Sequence, residues 1–256
     1  MSELLVRNYE SVMELGINRP EKRNAINFHL MDEIADSLEL AKNDSSVKLI
    51  VIRGIGDQAF CSGGDLFDFH ALETETRAYE MLSKMGEVLH VLATFPKPTI
   101  AYINGIAIGG GCEIATACDI RIAHVDAKMG FVQGNQAITT GWGGGTLLME
   151  KINVDQALHI LYSAGIMTAS EAEKRGFVTE IVKDDKAFHQ ILQQYSQKEY
   201  EVLQAYKRIL LRKWNGIEIK DRMLEEIECC SKLWIKEEHL LAMKRFHNQK
   251  KHKDRY

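Results

Sequence analysis

The chain has 256 residues, of which 45% are hydrophobic and 27% are charged, and its formal net charge is -4. This length suits one sizeable core with an appendage, and the balanced charge argues against a general nucleic-acid-binding or membrane-binding role. The N-terminus lacks a basic stretch followed by an apolar run, and no apolar stretch is long enough to span a bilayer, so we expect a cytoplasmic protein. The five cysteines lack metal-ligand spacing, which predicts reduced thiols and no metal site.

The first half of the chain predicts alternating strands and helices. Asn27 can cap a helix over residues 28–42, and residues 49–52 form a run of the kind found in buried parallel strands. The other elements predicted here are strands over 4–6, 12–17, 99–103 and 119–123 and helices over 75–93 and 112–117. This alternation predicts an α/β core with parallel sheets and right-handed crossovers.

The second half of the chain becomes increasingly helical. The predicted elements are helices over 144–151, 155–163 and 169–175, a strand over 178–182, and long amphipathic helices over 186–212 and 221–249. We expect residues 1–195 to form the core and residues 196–256 to form a C-terminal helical region. The last long helix carries more apolar residues than a free helix would show. These are Met223, Ile227, Leu233, Leu240 and Met243.

Two glycine-rich loops each follow a predicted buried strand, at residues 60–65 and 104–113. Glycine lets the backbone turn sharply and lets a ligand approach the chain closely. The second loop also opens a helix, whose first N–H groups lack partners and carry partial positive charge. It lacks the ending of a phosphate loop, and neither loop matches the dinucleotide fingerprint. One such turn is usually only a turn, but two of them, with Glu113 ending the second, predict an oxyanion hole.

The chain resembles the enoyl-CoA hydratase/isomerase (crotonase) superfamily over essentially its whole length. The residues that carry the resemblance are 18–25, 59–66, 97–105, 109–113 and 117–120. The resemblance implies an α/β fold, a crotonase-like spiral of ββα units with a C-terminal helical trimerisation region. It also implies a homotrimer or a dimer of trimers.

By the same resemblance, the backbone N–H groups of Gly64 and Gly110 form the oxyanion hole. The ligand is an acyl-CoA thioester, and no cofactor is implied beyond the coenzyme A of the substrate. Lys22 and Arg23 are expected near the coenzyme A phosphates. The expected substrate-binding residues are Lys22, Arg23, Cys61, Ser62, Gly63, Asp65, Thr140 and Trp142.

The acid–base residues distinguish the reactions of this superfamily. Its hydratases use two glutamates, because adding water requires one group to activate the water and another to protonate the α-carbon. Glu113 matches the first glutamate, and Gln133 stands at the position of the second. No Asp, Glu or His lies between Asp126 and Glu150, and glutamine does not exchange a proton near neutral pH. Hydration, and isomerisation through the second glutamate, therefore lack an expected acid.

Decarboxylation of a 2-substituted malonyl-CoA requires less, because loss of CO₂ generates the enolate directly in the oxyanion hole. Residues 117–121, 131–132 and 142–144 resemble ethylmalonyl-CoA decarboxylases. Methylmalonyl-CoA decarboxylases are also similar, although they carry a tyrosine where this chain has Thr140. We therefore predict decarboxylation. The alternatives are enoyl-CoA hydration or isomerisation in fatty-acid metabolism, thioester hydrolysis or another enolate reaction, and noncatalytic acyl-CoA binding. The predicted catalytic residues are Gly64, Gly110, Glu113 and Gln133.

Several other polar residues allow both a structural and a functional interpretation. Asp68 and His70 follow the first glycine loop and could reach the acyl pocket or lie at the surface. Residues 250–255 form a basic tail, which suits a solvated helix end or attraction of a phosphate-bearing ligand.

Overall fold

A computed structural model describes residues 2–69, 72–214 and 217–253. Its larger sheet has six strands, and all neighbouring pairs are parallel except the first, which is antiparallel. In spatial order they are β1 (Leu4–Tyr9), β2 (Val12–Ile17), β3 (Leu49–Gly54), β5 (Thr99–Ile103), β7 (Ile120–His124) and β10 (Glu180–Val182). β2, β3 and β5 are buried over almost their whole length. This confirms the parallel core predicted from their continuous apolar runs.

A second, four-stranded sheet was not predicted from the sequence. In spatial order it consists of β4 (Ala59–Cys61), β6 (Ile106–Ile108), β8 (Lys128–Gly130) and β9 (Met167–Thr168). These strands have two or three residues each, which is too short for a hydrophobic period to be recognised. β4 and β6 are parallel neighbours, and each ends just before the glycines of its loop, Gly63-Gly64 after β4 and Gly109 to Gly111 after β6. The two loops therefore leave the sheet along the same edge.

The helices cover the sheets and supply most of the remaining core. They are α1 (Phe28–Asn43), α2 (Leu66–Phe69), α3 (Glu75–Ala93), α4 (Gly110–Ala117), α5 (Gly144–Lys151), α6 (Val154–Ser163), α7 (Ala169–Lys174), α8 (Asp185–Ser196), α9 (Tyr200–Trp214), α10 (Ile219–Trp234) and α11 (Glu237–Lys253). Asn27 caps α1 as predicted, since its side chain accepts the N–H of Leu30 at 2.8 Å. Across the described ranges, no helix is long and apolar enough to cross a membrane.

The prediction of two long C-terminal helices was wrong, because each is divided in two. Residues 186–212 are split between α8 and α9, and residues 221–249 between α10 and α11. The carbonyls of Ser196 and Lys198, at the first break, accept hydrogen bonds from Lys48 Nζ at 3.2 Å each. That partner lies far away in the sequence, and the amphipathic pattern continues on both sides of the break, so periodicity alone does not show it.

The C-terminal helices share the core of the preceding residues. The predicted boundary between residues 195 and 196 falls at the end of α8, and beyond it Met223 and Ile227 of α10 are buried in the main hydrophobic cluster. A Cβ added to Gly86 of α3 would lie 2.4 Å from Ile227 Cδ1, so α10 and α3 approach closely. Met223 and Ile227 are therefore unavailable to a neighbouring subunit.

Helices α4 and α5 bind each other at both ends. Glu113, near the start of α4, accepts the N–H of Gly144 at the start of α5 at 2.9 Å. Lys151, which ends α5, donates to the carbonyls of Ala117 and Cys118 at the end of α4, at 3.0 and 2.7 Å. A carboxylate at a helix N-terminus and a cation at a C-terminus both complement the helix dipole. We call this pair of contacts the α4–α5 clasp.

Candidate active site

A cavity of about 1070 Å³ opens between the two glycine loops and extends toward the C-terminal helices. The predicted site residues that line it are Lys22, Arg23, Ser62, Gly63, Gly64, Asp65, Gly110, Glu113, Gln133 and Trp142. The loops are in close contact, because a Cβ added to Gly63 would lie 3.3 Å from the nitrogen of Gly110. Residues that are distant in sequence are thus collected around one cavity.

The N–H groups of Gly64 and Gly110 are placed to act together. Ile26 pairs with the first loop, donating to the Gly63 carbonyl at 2.8 Å and accepting from Asp65 at 2.7 Å. Gly64 lies between these bonds, and its N–H finds no acceptor in the described part of the chain. The same holds for the N–H of Gly110, the first residue of α4. Two unsatisfied donors at the cavity wall are what an oxyanion hole requires.

The glycine before α4 sets this geometry. Gly109 has a φ of +56°, in the left-handed region that favours glycine. Its N–H donates to the Gly130 carbonyl at 2.8 Å, which anchors the loop to β8. The following N–H, that of Gly110, is then left available to a ligand.

The indole of Trp142 packs directly against the two donor residues. A Cβ added to Gly110 would lie 2.1 Å from Trp142 Cζ3, and one added to Gly64 would lie 3.5 Å from Cζ2. The ring is buried and also lines the cavity. Trp142 therefore supports both glycines from one side and leaves no room for a side chain at residue 110.

Glu113 is buried and accepts four hydrogen bonds. One carboxylate oxygen accepts from Gln133 Nε2 at 2.9 Å and from the Gly141 N–H at 3.3 Å. The other accepts from the N–H groups of Trp142 and Gly144, both at 2.9 Å. Burial, followed by the nearby charge of Glu226, raises the pKa of Glu113 to about 7. Such a group exists in both protonation states near neutral pH and can act as an acid or a base.

Gln133 lies next to Glu113, on a short helical turn at Gln133–Gln136. Its Nε2 donates to Glu113, while its Oε1 is buried and has no hydrogen-bond partner within the described ranges. A buried acceptor without a donor is costly. The amide oxygen is therefore an unsatisfied acceptor beside Glu113, in a residue that lines the cavity.

Residues 7–254 match the family described as enoyl-CoA hydratase/isomerase. The chain belongs to this family. This family is the crotonase superfamily of acyl-CoA enzymes. The resemblance inferred from the glycine loops is therefore confirmed as far as membership of the superfamily.

Two relatives and one solved structure illustrate the similarity. The chain is 34% identical over 189 residues to the crotonyl-CoA hydratase of Syntrophomonas wolfei, across 73% of this chain and 72% of that protein. It is 35% identical over 188 residues to the mitochondrial methylglutaconyl-CoA hydratase of Mus musculus, across 72% of this chain but only 60% of that protein. A crystal structure of an enoyl-CoA hydratase/isomerase from Xanthobacter autotrophicus has a TM-score of 0.86 at 25% identity, covering 94% of this chain and 91% of that one. The expected crotonase-like α/β fold is therefore present.

Two predicted binding residues of this crotonase-family chain lie away from the cavity wall. Cys61 is buried in β4, where burial raises the pKa of its thiol to about 12. Thr140 is also buried, and its hydroxyl interacts with Glu226 instead of facing the cavity. In both cases the residue is adjacent in sequence to the site, but its side chain points into the protein interior.

Charged residues surround the mouth of the cavity. Lys22 and Arg23 line it, and the Ser62 N–H donates to the Arg23 carbonyl at 3.1 Å, which joins this turn to the first glycine loop. Asp65 lines the cavity too, but its carboxylate pairs with Arg19 at 2.8 Å. Asp68 is exposed and is not part of the lining. His70 lies outside the described residues, as do residues 254–256 and the side chains of residues 250–253 in the basic tail.

Sequence reasoning missed the inner wall of the cavity and Glu226. The inner wall is largely apolar and includes Met81, Leu82, Ile138, Cys230, Trp234 and Phe246. Glu226 accepts the N–H groups of Gly145 and Thr146 at 3.0 and 2.6 Å. A signal for it exists in the sequence, because Glu226 falls on the same helical face as the buried Met223 and Ile227.

His239 fixes α11 over this inner wall. Its Nδ1 donates to the Gln136 carbonyl at 2.7 Å, and its ring lies 5.0 Å from that of Trp234. Burial lowers the pKa of His239, which favours the neutral ring. The turn that carries Gln133 is thereby tied to the last helix.

Proposed function

We propose that this protein is an acyl-CoA enzyme that decarboxylates a 2-substituted malonyl-CoA. The observation that carries the proposal is the acid–base content of the cavity wall. Among the described residues that line it, Glu113 is the one carboxyl group not held in an ion pair, and the neutral amide of Gln133 lies beside it. One proton donor suffices for decarboxylation, whereas hydration needs a base and an acid.

The reaction begins with the thioester oxygen accepting hydrogen bonds from the N–H groups of Gly64 and Gly110. The bond between the α-carbon and the malonyl carboxylate breaks, CO₂ leaves, and the electron pair passes into the enolate held by these donors. Protonated Glu113 then transfers its proton to the α-carbon and regains one from solvent. Because the pKa of Glu113 is about 7, CO₂ release followed by protonation should decline as the pH rises above 7.

Hydration of an enoyl-CoA is the second candidate. The relatives named above are hydratases, and the unpartnered Oε1 of Gln133 could accept a hydrogen bond from a water placed beside Glu113. In that reaction Glu113 must be ionised in order to activate the water. Hydration should therefore rise as the pH increases through about 7, which is the opposite pH dependence.

The test is to incubate the protein with ethylmalonyl-CoA and with crotonyl-CoA from pH 5.5 to 9 and to follow both products by mass spectrometry. We expect CO₂ release with an alkaline limb near pH 7 and slow hydration of crotonyl-CoA. Fast hydration that increases with pH would overturn the decarboxylase assignment. Binding of the acyl-CoAs without turnover of either would leave noncatalytic binding as the function.

Gln133→Glu tests the proposal by supplying the second carboxylate that hydration requires. A second carboxylate at this position should raise hydration at least tenfold, because acid–base groups contribute ~100- to 10,000-fold. It should also slow decarboxylation by repelling the malonyl carboxylate. Gln136→Glu is the matched control, since Gln136 lines the same wall and Glu113 accepts no hydrogen bond from it. Equal effects of both substitutions would contradict the role given to residue 133.

A further inference from the structure

Two carboxylates from different helices share the N-terminal end of α5. Glu113 of α4 accepts the N–H of Gly144, and Glu226 of α10 accepts the N–H of Gly145. These donors belong to consecutive residues, whose Cα atoms lie only about 3.8 Å apart. The two carboxylates therefore meet at one helix end, close enough for the charge of Glu226 to act on Glu113.

The surroundings of this pair contain little to balance two negative charges. No cation within the described ranges forms an ion pair with either carboxylate. Arg222, on the same helix as Glu226, pairs with Glu150 at 2.8 Å. Lys151, on α5, binds carbonyls at the far end of α4. Among the described titratable groups, the thiol of Cys230 also faces the pair, and the uncharged hydroxyl of Thr140 interacts with Glu226.

We propose that Glu226 is a positioning residue whose charge, added to the effect of burial, increases the fraction of Glu113 that is protonated at neutral pH. Two like charges this close cannot both ionise readily, so one carboxyl retains its proton. Glu226 accepts the N–H groups of Gly145 and Thr146 and also interacts with the hydroxyl of Thr140. We assign the negative charge of the pair to Glu226. Glu113 then carries the proton at the cavity wall, where a decarboxylase requires an acid. The catalytic consequence of this inference rests on the proposed function. Its test does not, because it measures the protonation of Glu113 in the free protein.

Gln133 gives the proton on Glu113 an acceptor. The Oε1 of Gln133 is buried without a partner while its Nε2 donates to Glu113. If Glu113 is protonated, the amide can turn so that Oε1 accepts the carboxyl O–H in place of the bond that Nε2 donates to the ionised form. The other three donors to Glu113 are backbone N–H groups, which cannot accept a hydrogen bond from the carboxyl O–H.

The experiment measures the protonation of Glu113 directly in the free protein. The carboxyl stretch in infrared difference spectra is followed from pH 4 to 9 and assigned by its loss in Glu113→Gln. We expect Glu226→Gln to lower the midpoint by ~1 pH unit, because a neighbouring like charge is removed. Where decarboxylation is observed, its alkaline limb should shift by the same amount, so that the rate at pH 8 falls about tenfold.

Two further variants separate charge from structure. Glu226→Asp retains the charge but shortens the side chain, so its midpoint should stay near that of the unmutated protein. Glu150→Gln removes a charge from α5 that is paired with Arg222 and Lys213 instead, and should leave the midpoint unchanged. An unchanged midpoint in Glu226→Gln, or equal shifts in Glu226→Gln and Glu226→Asp, would overturn the inference. If the unmutated protein releases no CO₂, the proposed function fails, while the infrared midpoints still decide the role of Glu226.

Discussion

At the scale of single residues, the donor at Gly110 gives the sharpest test. Gly110→Pro removes the N–H, and loss of one oxyanion donor typically costs ~100- to 1000-fold in kcat. Proline is tolerated at the first position of a helix, but any Cβ here also meets Trp142. Gly110→Ala is therefore the comparison, since it makes the same contact and retains the donor. We expect turnover of the proline variant to be at least tenfold below that of the alanine variant.

Gly165→Ala is the control for the general effect of replacing a glycine with an alanine. A Cβ there would meet only Ser163 Oγ, at 3.8 Å, so activity should be unchanged. Similar rates for the folded proline and alanine variants at residue 110 would remove Gly110 from the oxyanion hole.

The pKa of Glu113 also predicts how stability depends on pH. Burial raises this pKa from 4.5 to about 7, so the folded state favours the protonated form. That stability is fully present below pH 4.5 and is lost as the pH rises through 7, by about 3 kcal/mol at most. Glu113→Gln does not titrate, so its Tm relative to the unmutated protein should increase from pH 5 to pH 8. A constant difference across this range would show that Glu113 is ionised throughout.

Single residues differ in how far the sequence reveals them. Gly64, Gly110 and Glu113 were predicted from local patterns, glycine turns and a helix start, and the structure places all three at one cavity. Glu226 was not found, because it reaches the site through the packing of α10 on α3 and α5. Thr140 was assigned to the substrate, yet its hydroxyl interacts with Glu226. The direction of a side chain in an irregular loop depends on tertiary contacts that a local pattern does not contain.

At the scale of elements, α10 is expected to stabilise the whole fold. Ile227 is fully buried against Gly86 of α3. Ile227→Ala should lower the free energy of unfolding by roughly 2–5 kcal/mol, as is typical for large-to-small changes in a core, measured by urea denaturation. Leu241→Ala on α11 is the control, because Leu241 is 42% exposed and should cost less than about 1 kcal/mol. A small effect of Ile227→Ala would mean that residues 196–256 fold separately from the core.

Some elements were predicted with the correct bounds and others were missed, and the difference has a physical reason. α3 and β5 have the predicted bounds, because a long apolar period or a continuous buried run is visible in a single segment. The four-stranded sheet depends on pairing between segments of two or three residues. Those hydrogen bonds join segments that are distant in the sequence, so no single segment predicts them.

At the scale of the whole molecule, one helix face has an unusual composition. Val202, Tyr206 and Ile209 lie on one side of α9 with exposed fractions of 47%, 70% and 62%. We expect this stripe to lie in the interface of a homotrimer or a dimer of trimers, because contiguous exposed apolar patches commonly mark association sites. Ile209→Glu should then reduce the assembled mass measured by light scattering. Arg208→Glu, a charge change elsewhere on the same helix, should leave the mass unchanged.

A monomeric and fully active unmutated protein would refute this expectation of assembly. The sequence predicted an unusually apolar helix over residues 221–249, but Met223 and Ile227 are buried, so only part of that segment is exposed. Exposed apolar residues therefore lie on both α9 and α11, where Leu240 and Leu241 are 51% and 42% exposed.

Because of the α4–α5 clasp, the choice of acyl group and the chemistry at Gly110 and Glu113 depend on different residues. Gly110 and Glu113 both lie on α4, and the clasp fixes α4 against α5 through side chains and backbone groups at the ends of the two helices. The inner wall is supplied by other elements, including Met81 and Leu82 of α3 and Trp234 of α10. Substitutions in these walls leave the clasp intact. A lineage that carries this arrangement can therefore alter which acyl groups it accepts without rebuilding the chemistry that it applies to them.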